Sequence, residues 1–396
     1  MTASAAQQPS TGRRPRVLVV SLGRRGGTTR YGQLMSMGLA RHADIAVISA
    51  AGAENRTRWA EIDCPHIEVD TFSSIPTMLL SFVSVRRFAR IRRFACSFAP
   101  DVVYYPHGHA WKPLLDVLLP RAARTVLTIH DPELHSGEDS VLHRLLDAGN
   151  RLHVDAYVLL NESQRAGFTE RLHLDPSRVS VIPHGIFDDL LQSRRPLSEV
   201  PGLEPIVPWE GRYLLFAGRI VRYKGLGTLL AAYGSLRTDP PVPLVIAGDG
   251  ELSDEESALL DGLAGRPVEF IHRWLSDVEL ASLVGSGRFV VLPYLSATQS
   301  GVIPLASAFG VPAIASKTGG ISEQVDDGTT GLLFASGDVA ALRARLEEAL
   351  SMSDTAYAEM SSRCRSHAET AWSWDVLAKA LLAYFATIAT PADGRR

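Results

Sequence analysis

Arg212-Tyr213-Leu214-Leu215-Phe216-Ala217-Gly218-Arg219-Ile220-Val221-Arg222-Tyr223-Lys224-Gly225 joins two different periodicities. The apolar run 212–217 reads as a strand, and the pattern from Gly225 through Thr228, Leu229 and Leu230 to Tyr233 reads as a helix. A glycine-bounded turn therefore links a buried strand to a helix, the repeating unit of a parallel α/β sheet. The turn carries two cations, Arg219 and Lys224, beside a helix N-terminus. Guanidinium offers forked donors, ammonium a point charge, and the helix end free N–H groups, a combination suited to a diphosphate. Lysine occurs only at positions 112, 224, 317 and 379, so an ammonium here stands out in an arginine-rich chain. Taken alone, the turn is equally readable as solvated surface charge.

The same rhythm extends in both directions. Apolar runs at Arg16–Val20, Asp44–Ser49, Asp101–Tyr105, Thr125–Ile129, Asp155–Leu160 and Val179–Ile182 precede it. Runs at Pro243–Ala247, Val268–Ile271, Phe289–Leu292 and Pro312–Ala315 follow. Val/Ile/Leu-rich strands alternating with helices predict an α/β protein with parallel sheets covered on both faces. Between Gly185 and Glu210 the rhythm stops at Pro196, Pro201, Pro205 and Pro208, which central strands and compact helices reject. Two Rossmann-like, doubly wound domains facing a cleft follow: residues 16–190 and 212–372, with a linker at 191–211 and a final helix at 373–390. Asp338 caps an amphipathic helix with Val339, Leu342, Leu346 and Leu350 on one face, and Trp374–Ile388 is long enough to return to the first domain. No internal repeat is visible.

Composition narrows the classes. A chain of 396 residues, 46% apolar, supports two or three domains. Net charge −3 and a pI near 6.5 do not suit a dedicated nucleic-acid binder. Cys64, Cys96 and Cys364 form neither a disulfide framework nor a zinc pattern, which fits a reducing, cytoplasmic interior. Residues 1–15 are small, polar and basic without an apolar core, predicting a disordered tail rather than a signal peptide. No run has the length of a membrane span.

Ligands of doubly wound sheets sit at the carboxyl ends of the strands. There the first half offers Gly23, Gly26 and Gly27, which read either as a ligand-approaching loop or as a tight connection. His130 and Asp131 either meet a sugar hydroxyl or order their loop. His184 ends the last strand before the proline-rich stretch. Asn161 and Glu162 read as caps. The second half offers Gly248, Asp249 and Gly250, whose glycines make room for a flat ligand, and Arg273 near a base or ribose. After Leu292-Pro293-Tyr294 come Thr298, Gln299, Ser300 and Gly301, opening a helix over Val302–Phe309 and a second helix-terminus anion site.

Nearly the whole chain resembles glycosyltransferase family 4. The matches are Gly218-Arg219 with Lys224-Gly225, Ile182-Pro183-His184-Gly185, Leu244–Gly250, Ser276-Asp277-Val278-Glu279-Leu280 and, most specifically, Gly319–Leu333. The resemblance implies a GT-B architecture and a configuration-retaining transfer from a nucleotide-diphosphate sugar, with no metal and no cofactor beyond that co-substrate. It implies that Arg219 and Lys224 hold the donor diphosphate, that Gly23, Gly26 and Gly27 border donor and acceptor, and that His130 lies near the transferred sugar. Gly218, Gly248, Asp249, Gly250, Arg273, Tyr294, Thr298, Gln299, Ser300, Gly301 and Glu323 fall on the donor side, Asp131 and His184 on the acceptor side. One departure stands out: the family's two glutamates align with Ala297 and Leu305. Ala297-Thr298-Gln299-Ser300-Gly301 resembles a subgroup carrying that change, with Thr298 and Gln299 offered to the sugar and the Ser300 and Gly301 amides to phosphate.

A glycoside hydrolase would need a flanking carboxylate pair, which nothing singles out. A dinucleotide oxidoreductase would need a cleaner glycine fingerprint. A catalytically silent nucleotide-binding partner is the rival that the missing glutamates raise. For the acceptor, carbohydrate, lipid-linked and small-molecule classes stay open. Helix Ser84–Phe98 places Phe88, Ile91, Ala95 and Phe98 on one side and Arg86, Arg90 and Arg93 on the other. It reads either as a core helix with solvated arginines or as a basic face for an anionic membrane surface.

Overall fold

The computed structural model describes residues 13–131 and 141–389; most of the expected tail at 1–15 lies outside them. Those residues form two compact units. The first comprises 13–131, 141–160, 165–183 and 374–389, the second 161–164 and 184–373.

The first unit holds a parallel sheet of seven strands: β1 (Arg16–Ser21), β2 (Asp44–Ala50), β3 (His66–Val69), β4 (Val102–Tyr105), β5 (Arg124–Ile129), β6 (Ala156–Leu159) and β7 (Val179–Val181). Their order is β3-β2-β1-β4-β5-β6-β7. The second holds six: β8 (Leu214–Ala217), β9 (Leu244–Ala247), β10 (Val268–Ile271), β11 (Phe289–Leu292), β12 (Ala313–Lys317) and β13 (Gly331–Ala335), in the order β10-β9-β8-β11-β12-β13. Both orders reverse direction at one point, between β1 and β4 and between β8 and β11. Such a switch point leaves a crevice beyond the strand ends.

Burial explains why these runs become strands. Leu215, Ala217, Val245 and Ala247 belong to one core cluster, Leu214, Phe216, Leu244 and Ile246 to another. Successive side chains enter opposite faces, both dry, so the strands lack polar alternation. Two strands escaped the sequence reading. In β3, at a sheet edge, the first three residues are only half-buried, which dilutes its apolar signal; β13, also at an edge, is buried over its first four residues.

The stretch expected as a linker, 191–211, belongs to the second unit. Leu197, Val200, Leu203 and Ile206 are buried in the cluster that contains Tyr213 and Leu283. The prolines shape two tight 3-10 turns, Leu197–Glu199 and Glu204–Trp209, rather than freeing the chain. Helix Val339–Ser351 carries the Asp338 cap on Ala341 N, but Val339 is exposed and Leu342, Leu346 and Ala349 supply the buried stripe. Helix Trp374–Ala389 packs in the first unit on helix Gly27–Ala40. Trp374 meets Tyr31 edge-on at 5.4 Å, and a Cβ on Gly38 would overlap the Trp374 carbonyl.

Candidate active site

In the second unit the loops after β8, β9 and β11 converge by backbone contact. Gly218 N donates to Ala247 O and Ile220 N to Asp249 O, at 2.9 and 2.7 Å, so the loops after β8 and β9 run side by side past the strands. A Cβ on Gly248 would overlap the Gly218 carbonyl oxygen, and one on Gly250 the Ile220 oxygen. Both glycines have positive φ. Their space is filled by the neighbouring loop, which corrects the reading that they make room for a flat ligand. Gly225, at φ 66°, abuts the Pro293 carbonyl, and Leu295 N donates to Tyr223 O at 2.7 Å. The β8 and β11 loops are thereby locked together at the switch point.

Lys224 is the outcome of this packing. It is half-buried, with its Nζ 5.1 Å from the centroid of the Tyr294 ring. A Cβ on Gly218 would stand 2.5 Å from that Nζ, so the ammonium lies against a bare Cα. Among the described residues no carboxylate pairs with it, whereas Lys112, Lys317 and Lys379 all have one. A half-buried cation supported only by a ring face retains most of its capacity for an incoming anion. Arg219 follows Gly218 at the same strand end and is exposed, and helix Leu226–Gly234 starts at Gly225 without a side-chain cap.

The loop after β11 is more fully committed than its sequence implies. Gln324 clamps Ser300, taking its N–H through Oε1 at 2.8 Å and donating through Nε2 to its carbonyl at 3.0 Å. Ser300 Oγ accepts from Val302 N at 3.2 Å. The Ser300 amide is therefore not free for phosphate, a correction; Gly301, at the helix start, has no side-chain cap. Thr298 is buried, and its carbonyl accepts from Asn161 Nδ2 at 2.7 Å. Gln299 Oε1 is buried with no hydrogen-bond partner, an acceptor awaiting a donor. Ala297 and Leu305 are buried apolar residues, so no carboxylate replaces the missing pair at those positions.

Three expected residues are otherwise engaged. Glu323 accepts the Glu162 and Ser163 amides at 2.7 and 2.6 Å and so holds that backbone. Arg273 pairs with Glu279, whose carboxyl drops to about 2, first through that bond. His184, expected on the acceptor side, falls in the second unit. It is buried, donates from Nδ1 to Gly185 O at 2.7 Å and meets Phe187 edge-on; burial lowers its pKa to about 4.

In the first unit the corresponding switch point joins the loops after β1 and β4 through His107, which sequence reasoning missed. Nδ1 donates to Gly108 O, and Nε2 accepts from Gly23 N at 3.3 Å and from Ser21 Oγ at 3.2 Å. Burial lowers its pKa and favours this neutral form. The signal was available: a histidine directly after β4, the strand beside β1. Gly26 N donates to Glu54 Oε1 at 2.7 Å, and Gly27 opens the helix in open space. His130 donates from Nε2 to Pro106 O at 2.9 Å and meets Tyr31 edge-on; Asp131 beside it is exposed.

Comparison with known proteins gives the family and the fold. Residues 25–190 match the model described as Glycosyltransferase Family 4, and residues 211–352 that described as Glycosyl transferases group 1. The chain is 29% identical over 332 residues to the D-inositol 3-phosphate glycosyltransferase of Mycobacterium avium (strain 104), covering 78% of this chain and 74% of that protein. It is 30% identical over 324 residues to the glycogen synthase of Mycobacterium tuberculosis (strain ATCC 25618 / H37Rv), covering 77% and 73%. Among solved structures, Anabaena Alr3699/HepE in complex with UDP and glucose superposes with a TM-score of 0.69 at 16% identity, over 94% of this chain and 100% of that one. WaaG, a glycosyltransferase involved in lipopolysaccharide biosynthesis, gives 0.60 at 20% identity, over 92% and 98%. These two likenesses concern the fold.

Proposed function

The chain belongs to glycosyltransferase family 4, and we propose that it transfers a hexose from a nucleotide-diphosphate sugar to a hydroxyl acceptor, with retained anomeric configuration and without a metal. The observation that carries this reading is the Lys224 ammonium, held against Gly218 and the Tyr294 face with no carboxylate partner among the described residues. As the bond from the anomeric carbon to the diphosphate oxygen breaks, negative charge grows on the leaving group. Lys224, Arg219 and the helix starts at Gly225 and Gly301 stabilise that charge more in the transition state than in the ground state. The acceptor oxygen bonds to the anomeric carbon on the leaving-group face, and its proton passes to the departing phosphate oxygen. Gln299 Oε1 receives a sugar hydroxyl and so loses its unpaired state. His130 is assigned to the transferred sugar, its orientation set by the Nε2–H bond to Pro106 O. The product belongs to glycan, glycolipid, cell-envelope or natural-product synthesis.

The test is donor turnover. Incubation with UDP-, GDP- and ADP-hexoses should release nucleoside diphosphate for one of them, slowly to water and faster to an acceptor. Lys224→Ala should slow it by about a hundredfold or more. NMR should show the donor's anomeric configuration in the product, and excess EDTA should leave the rate unchanged. Tight nucleotide binding with no turnover on any acceptor would contradict the transferase reading, and an inverted product the retaining one.

A further inference from the structure

We propose that the first unit rests on an anionic lipid bilayer through residues 75–93 and takes an amphiphilic acceptor from it; the word acceptor rests on the transferase reading, the bilayer contact does not. Two adjacent elements carry the inference. Helix Ile75–Ser81 and the turn that follows expose apolar side chains: Leu79 is 63% exposed, Leu80 68%, Val83 76% and Val85 78%. Such a contiguous apolar surface marks an interaction site. It is held out by specific bonds. Ser74 and Thr77 form a capping box, Trp111 Nε1 donates to Ser81 Oγ at 2.6 Å, and Arg87 donates to Ser81 O.

Helix Val85–Phe98 then buries Phe88, Ile91, Ala95 and Phe98 and turns Arg86, Arg90, Arg92 and Arg93 to solvent. Among the described residues Arg86, Arg92 and Arg93 have no carboxylate partner, and Arg90 reaches only the Glu68 carbonyl. No Asp or Glu lies between Asp70 and Asp101. Exposed apolar side chains bordered by unneutralised arginines match the lipid boundary, where acyl carbon lies below anionic headgroups. No helix of the described residues is long and apolar enough to cross a membrane, so the contact is interfacial.

Behind the exposed helix lies a cavity of about 740 Å³, lined by Leu22, Phe72, Ile75, Met78 and Leu146. Its polar walls are Thr71, Ser73, Ser74, the Gly23–Arg25 loop and His109, whose pKa falls to about 3, chiefly through burial. An alkyl chain entering beside Ile75 would end next to the glycine loop.

Co-sedimentation with vesicles of phosphatidylcholine, alone or mixed equally with phosphatidylglycerol, tests the contact. The full chain should partition onto the mixed vesicles and not onto phosphatidylcholine. Arg86→Glu/Arg90→Glu/Arg93→Glu should weaken partitioning by about a hundredfold, and Leu79→Ser/Leu80→Ser/Val83→Ser by about tenfold or more. Both variants should keep the wild-type melting temperature and nucleotide response. Wild type remaining in the supernatant, or variants binding as wild type does, would overturn the contact. Partitioning by a protein with no nucleotide response would support the contact and defeat the transferase reading alone. For the cavity, calorimetry should detect octyl glucoside below its micelle concentration but not methyl glucoside, and Ile75→Trp should abolish the difference. Equal response to the two glucosides would overturn the amphiphilic acceptor.

Discussion

Replacing Lys224 by alanine deletes one charge that the fold holds through the Tyr294 ring face and Gly218, with no carboxylate partner among the described residues. The expected outcome is separable. Melting temperature without ligand should change little, while the rise caused by a saturating nucleoside diphosphate, about 2.7 kcal/mol at a hundred times Kd, should largely vanish. Glycines beside it behave in the opposite sense. Gly248→Ala would force a Cβ into the Gly218 carbonyl at a positive φ. The loop pairing would break, at a cost of about 3 kcal/mol by denaturant titration. The position of the two cations at a strand–helix junction was legible from the change of periodicity at Gly218–Gly225. The roles of Gly248 and Gly250 were not, because what a glycine admits depends on a loop thirty residues away. The partners of Glu323, Arg273 and Ser300 were not legible for the same reason. Each is a polar group whose partner, whether the Glu162 amide, Glu279 or Gln324, is chosen by tertiary packing.

Elements were read more securely than side-chain roles. Eleven of the thirteen strands were visible as apolar runs; β3, half-buried at a sheet edge, was not, and β13 was missed although Leu332 and Leu333 enter opposite cores. The proline-rich stretch misled because proline signals the absence of regular structure, not the absence of packing; Leu197 and Ile206 are fully buried between those prolines. Helix Lys112–Leu118 holds a feature that sequence patterning could not weigh. Lys112 is fully buried, 2.6 Å from Asp116, with Leu152 O and the Tyr105 hydroxyl completing the bonds. Burial lowers the lysine pKa and raises that of the aspartate. Lys112→Met leaves the carboxylate uncompensated and should cost about 3–5 kcal/mol in urea unfolding. Lys112→Met/Asp116→Leu should recover most of that loss.

At the scale of the molecule, two sheets with reversing strand order each bring a glycine loop and a partner loop to a switch point, and that much followed from the alternating pattern alone. Which histidines serve those points did not, and His107 emerged only with the β1–β4 pairing. Stability should depend on pH through buried histidines of both units, His109 in the first and His184 in the second. His184 has a folded pKa near 4 against about 6.5 unfolded, so the unfolded chain takes the proton first. Its contribution is complete above about pH 6.5 and is lost as pH falls towards 4, about 2 kcal/mol by pH 5. Melts at pH 7 and pH 5 should show a larger drop for wild type than for His184→Gln. The most direct measurement is a crystal structure with the nucleoside diphosphate that raises the melting temperature most. The account predicts a β-phosphate oxygen within hydrogen-bonding distance of Lys224 Nζ, between the loops after β8 and β11. A nucleotide bound elsewhere, with that ammonium still against the Tyr294 ring and bare of phosphate, would contradict it.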